Sequence, residues 1–222
     1  MEPTSNCSSA SGGRVFADAA AVMQAVESQT LILYHSDLRG EWPGDASRVL
    51  AARLPYLKRL AAGSGSAAAR ASLAGIALAL RALTRIMERS VDVSEIVFTA
   101  GLKPTLACAQ HPDFSISHSW PWVGCAAMSH SRVGLDIEIG ADARIAAWVQ
   151  QEALLKAVGA GIRALREVSA VSFVGGCARW RDELWHARSL ALFPGASACV
   201  MTSVAVAAVE QRAMALQELF AA

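Results

Sequence analysis

A chain of 222 residues can form one large domain or two small ones, and it can bury a core without disulfide or metal staples. Lys and Arg number 20 against 19 Asp and Glu, and 54% of residues are hydrophobic. A net charge of +1 excludes a strongly basic nucleic-acid binder, and the composition excludes a largely disordered acidic chain. The five cysteines (Cys7, Cys108, Cys125, Cys177, Cys199) are odd in number and form no C-x-x-C. That pattern argues against a disulfide scaffold or zinc ribbon and for a reducing compartment. Residues 1–15 are polar, with no basic segment followed by an apolar one, so the expectation is a flexible tail, no secretory signal and a cytoplasmic location.

In chain order, Leu31–Tyr34 predicts a strand over 30–38 buried on both faces. Residues 46–61 read as helical with a break at Pro55. Gly63-Ser64-Gly65-Ser66 is a connector. The Ala- and Leu-rich stretch 67–89 is the clearest helix, and 95–100 reads as a strand. Strands follow at 114–117, 122–128 and 133–139, then a helix over 143–157 ended by Gly159 and Gly161. Residues 168–174 read as a strand, 179–192 are mixed, and 211–220 read as a short helix. Residues 189–209 carry no charge over 21 positions, long enough to span a bilayer. Pro194-Gly195 marks a turn inside that stretch and favours buried strands instead. From Ala46 to Met87 there are seven bases (Arg48, Arg53, Lys58, Arg59, Arg70, Arg81, Arg85) and no acid. Such a block reads either as a solvated face or as a site for a phosphorylated ligand or acidic protein.

Three segments carry candidate chemistry. In the strand Gly134-Leu-Asp136-Ile-Glu138, alternation puts the two carboxylates on one face. They read either as an exposed acidic face or as hard oxygen ligands for Mg²⁺ or Mn²⁺. Trp148, Glu152 and Lys156 follow at i, i+4 and i+8, along one helix face. They form a surface pair beside a core tryptophan, or a third carboxylate and a cation for a phosphate. His118 follows the strand Phe114-Ser-Ile-Ser117 and is flanked by Ser117 and Ser119. It reads either as a structural histidine or as a donor to a phosphate.

The order F-S-I-S-H-S, V-G-L-D-I-E, W-x-x-x-E-A-x-x-K-A-x-G-x-G resembles the 4′-phosphopantetheinyl transferase superfamily, in its longer surfactin-synthetase-activating (Sfp-like) type. Gly101-Leu-Lys103-Pro104 matches the family's upstream G-x-K-P element, and Ala71-Ser-Leu-Ala-Gly75 resembles its R-x-x-x-G segment. The match is strong over residues 101–161 and general elsewhere. Three departures stand out. Gln151 replaces a lysine, Ser115 replaces an asparagine, and Ala71 replaces an arginine. Arg70 lies one position before Ala71, about 100° round the helix.

The resemblance implies an Mg²⁺-dependent enzyme, with Mn²⁺ a possible substitute. It moves the phosphopantetheine arm of coenzyme A to a serine of an apo acyl or peptidyl carrier protein and releases 3′,5′-ADP. It implies metal ligation by Asp136, Glu138 and Glu152, with Glu152 also the base. It implies Lys156 and His118 at the diphosphate, and Lys58, Arg59, Arg70, Lys103 and Ser117 among the coenzyme A-binding residues. It implies an α+β fold of two similar subdomains, each a small antiparallel sheet with a long helix, in a pseudo-twofold monomer. The expected division is a tail at 1–15, an N-terminal subdomain at 16–110 and a C-terminal one at 111–222, with the site between them. No nucleic-acid or membrane partner is expected. Two other classes stay open: a non-catalytic coenzyme A or carrier-binding module, and a metal-dependent phosphate-ester hydrolase.

Overall fold

The computed structural model describes residues 30–54, 66–107 and 112–221. β1 (Thr30–Asp37) opens it, with Leu31–Tyr34 buried on both faces. Then come α1 (Gly44–Ala52), α2 (Ala67–Met87), the short strands β2 (Ile96–Val97) and β3 (Thr105–Leu106), β4 (Asp113–Ser119), β5 (Trp122–Met128) and β6 (Val133–Ile139). α3 (Ala143–Val158), α4 (Leu165–Ser169), β7 (Phe173–Val174), β8 (Cys177–Trp180), β9 (Glu183–Leu190), β10 (Ala196–Thr202), β11 (Ala208–Ala213) and α5 (Leu216–Leu219) complete it. Among the described residues, one sheet has the order β11-β1-β5-β4, a second the order β6-β10-β9-β8-β7, and β2 pairs with β3. The fold is α+β. The described pairings are antiparallel except that of β1 with β11.

α2 covers the first sheet. The Ser66 hydroxyl caps it by accepting the Ala69 N–H, and a left-handed Glu88 ends it. It is the one described helix long and apolar enough to cross a membrane, yet Leu73, Ile76, Leu78 and Leu83 are buried against β1, β4 and β5. Gly75 lets it approach closely: a Cβ there would lie 2.5 Å from Ile116 Cγ2 on β4. Gly75→Ala is expected to cost about 1–3 kcal/mol in urea denaturation. Ile116→Leu, which lacks that methyl, is expected to recover part of the loss in the double variant.

α3 lies across β6 and β10 of the second sheet. Asp142 caps it by accepting the Arg144 and Ile145 N–H groups, and Gly159 ends it at φ 71°. The charge-free stretch is explained by β10, an interior strand between β6 and β9 whose residues Ala198–Thr202 are buried. The Pro194-Gly195 turn leads into it, with Gly195 at φ 70°.

The C-terminal part departs from the sequence reading. Residues 168–174 divide between α4 and the two-residue β7. The mixed stretch 179–192 holds the hairpin of β8 and β9. Gly175 and Gly176, both at positive φ, make the turn between β7 and β8. Of the expected helix at 211–220, residues 211–213 belong to β11, and the helix that does form, α5, is four residues long (Leu216–Leu219). Tertiary pairing with β1 overrides helix propensity there. β4, β5 and β11, all beyond residue 111, hydrogen-bond in the sheet that contains β1.

His35 on β1 is 7% exposed, with its ring edge-on to Phe193 at 5.0 Å. Burial lowers its pKa below the ordinary value. Below about pH 6.5 the unfolded chain therefore binds more protons than the folded one, so stability falls as pH falls through that interval. His35→Gln is expected to lose less stability between neutral and mildly acidic pH, read as the shift in urea midpoint.

Candidate functional site

β6 turns Leu135 and Ile137 into the core, where both are fully buried, and directs Asp136 and Glu138 the other way. Asp136 is 3% exposed and Glu138 is half-buried. The helical period of α3 brings Glu152 and Lys156 over this strand. Lys156 Nζ donates to Asp136 Oδ1 at 2.6 Å and to Ser117 Oγ at 3.0 Å. Ser117 Oγ donates to the same Asp136 Oδ1 at 3.0 Å. Asp136 Oδ2 is buried and has no hydrogen-bond partner among the described residues. A buried carboxylate oxygen without a donor is costly and has the character of a ligand atom.

The electrostatics follow from this crowding. Desolvation raises the Glu152 carboxyl above its ordinary value; Lys156 opposes the rise, and Asp136 and Glu138 reinforce it. Desolvation lowers the His118 pKa, and the nearby Lys156 charge lowers it further. Ser119 Oγ donates to Glu138 Oε2 at 3.1 Å.

A cavity of about 310 Å³ is lined by Gly101, Lys103, Pro104, Glu152, Lys156 and Gly161. The G-x-K-P segment and the polar face of α3 thus share one wall-to-wall space. Lys103 lines it, and its ammonium donates to Asp113 Oδ2 at 2.6 Å and to the Val133 carbonyl at 2.8 Å. Burial lowers the Lys103 pKa, and the Asp113 charge opposes that.

The other sequence candidates fall outside this cluster. Arg70, on the first turn of α2, stacks over the Trp42 ring at 5.4 Å and does not line the cavity. Lys58 and Arg59 lie outside the described residues. Other bases of the acid-free block meet partners distant in sequence. Arg53 pairs with Asp92 and Arg85 with Glu210, while Arg81 donates to the carbonyls of Glu218, Leu219 and Ala221. Arg53 and Arg85 remain solvent-exposed, as a solvated basic face implies, and with Arg81 they also pair with groups outside α1 and α2. Asp113 and Ser119 went unassigned in the sequence, although the polar alternation Asp113, Ser115, Ser117, Ser119 opposite Phe114 and Ile116 is a visible signal.

Among the described residues, no group of three or more His, Cys, Asp or Glu side chains closes into a metal-binding set. Asp136, Glu138 and the nearby Glu152 are hard-oxygen side chains of the kind a divalent cation takes, and Asp136 Oδ2 is free of hydrogen bonds among the described residues. Compared with known proteins, the chain matches no family model and no curated protein.

Proposed function

We propose that this protein transfers the 4′-phosphopantetheine arm of coenzyme A to a serine of an acyl or peptidyl carrier protein. The carrying observation is the shared cavity: Lys103 and Pro104 of the G-x-K-P segment line it together with Glu152, Lys156 and Gly161 of the downstream motif. Segments about fifty residues apart in sequence, both matched by the resemblance, line a single space, and its Lys156 bonds to Asp136, whose other oxygen has no partner among the described residues.

In this reading the serine oxygen bonds to the β-phosphorus of coenzyme A while the bond from that phosphorus to the bridging oxygen breaks and 3′,5′-ADP leaves. Glu152 takes the serine proton; its raised pKa suits a base that must hold it. Lys156 moves from Asp136 to the diphosphate, and His118 donates to the same group. Asp136, Glu138 and Glu152 would hold Mg²⁺ or Mn²⁺, which would supply neutralisation of pyrophosphate charge. The pseudo-twofold arrangement belongs to this reading. One unit is the β1 sheet with α2 and the other is the β6 sheet with α3, so β4, β5 and β11 count with the first.

Incubation of the purified chain with Mg²⁺, coenzyme A and apo carrier proteins tests the reading. A carrier mass gain equal to the phosphopantetheine arm supports it. Binding of coenzyme A without turnover points to a binding module, and phosphate or pantetheine release without carrier modification points to a hydrolase.

A further inference from the structure

β4 and β6 belong to different sheets yet lie side by side. On the edge of β6 that faces β4, side chains rather than backbone carbonyls accept the N–H groups, while the opposite edge pairs with β10. Asp113 Oδ2 takes the Val133 N–H at 2.8 Å, and Ser115 Oγ takes that of Leu135 at 3.0 Å. Ser117 Oγ takes that of Ile137 at 3.2 Å, and Ser119 Oγ that of Ile139 at 3.3 Å. Each rung joins residue i of β4 to residue i+20 of β6.

The last two rungs do more. Ser117 accepts at residue 137 and donates to the carboxylate of residue 136. Ser119 accepts at residue 139 and donates to the carboxylate of residue 138. One hydroxyl thus grips the strand and the acidic side chain beside the bonded amide. A hydroxyl has one proton and two lone pairs. Ser117 uses all three, because Lys156 takes its second lone pair. Ser119 commits its only proton to Glu138, so neither serine has a proton left for a phosphate.

We propose that Ser119 is a positioning residue for Glu138, as Ser117 is for Asp136, and that the pair sets the two β6 carboxylates for a divalent cation. The inference rests on the carboxylate reading given above. A glutamate on a strand has three rotatable side-chain bonds, and a hydrogen bond that fixes its head lowers the ordering cost of coordination. Ser115 provides an internal control: it makes the same backbone rung, but among the described residues it makes no hydrogen bond to a carboxylate.

The test is Mn²⁺ titration of the full chain, followed by electron paramagnetic resonance of free Mn²⁺, with circular dichroism to confirm folding. Ser119→Ala is expected to weaken Mn²⁺ binding about tenfold, within the range for partners that orient ligands. Ser119→Thr, which keeps the hydroxyl, is expected to restore it, and Ser115→Ala is expected to leave it near the native value. Native affinity in Ser119→Ala, no rescue by threonine, or equal weakening in Ser115→Ala overturns the positioning role. Absence of Mn²⁺ binding by the native chain overturns the carboxylate reading and this inference with it.

Discussion

Gly134→Ala is expected to leave most of the chain unfolded. A Cβ at this position of β6 would lie 2.0 Å from the Ala153 carbonyl oxygen and 2.4 Å from the Ala157 nitrogen. Both obstacles are backbone atoms of α3, so no side-chain rotation relieves them. The helix must lift from a layer in which Ala153, Leu154 and Ala157 are buried. Overpacking against side chains costs about 1–3 kcal/mol, and a clash with a helix backbone is expected to exceed that. Set against a total stability of about 5–15 kcal/mol, such a loss is decisive. Far-UV circular dichroism and urea denaturation measure it. Gly159→Ala is the contrast: φ is 71° but nothing lies within 4 Å, so the expected cost is only about 1–2 kcal/mol. A folded Gly134→Ala with a native urea midpoint would contradict the close approach of α3 to β6.

Glu152→Gln is expected to reduce transfer to below about one thousandth while leaving stability unchanged or raised. A positioned base contributes about 10²–10⁴ in rate, and this residue is also assigned to the metal. The stability expectation has a separate origin. Desolvation and the carboxylates of Asp136 and Glu138 raise the Glu152 pKa despite Lys156, so its charged form opposes folding at neutral pH. Glutamine keeps the shape and removes the charge. Loss of function with a gain in stability marks a residue retained for chemistry. Carrier mass analysis and a thermal melt on the same sample check both halves. Full transfer by the glutamine variant would remove Glu152 from the mechanism.

The parts of the fold most legible in the sequence were those whose apolar pattern is dense. Leu31–Tyr34, the Ala-Leu run of α2 and the alternation of β6 each imply one conformation. The site was legible where local period decides direction: alternation aligns Asp136 with Glu138, and the helical repeat aligns Glu152 with Lys156. What could not be read locally depends on partners far along the chain. β11, Ala-Val-Glu-Gln-Arg-Ala, is an edge strand with a polar, helix-compatible composition, and only β1 makes it a strand. The acid-free basic block likewise concealed Asp92 and Glu210 as its partners. The serine alternation of β4 was visible, but its meaning depends on a strand twenty residues away that belongs to another sheet.

The parallel pairing of β1 with β11 also bears on biosynthesis. Thr30 aligns with Ala208 and His35 with Ala213, so the first sheet gains this edge only after about 180 further residues have been made. Contacts between residues so far apart in sequence carry a large loop-closure cost and slow folding. During translation β1 waits with one flank open, while the second sheet, whose strands lie between Val133 and Thr202, can complete itself earlier. A truncation before Ala208 is therefore expected to damage the beginning of the fold as much as its end, by leaving β1 an unpaired edge open to aggregation.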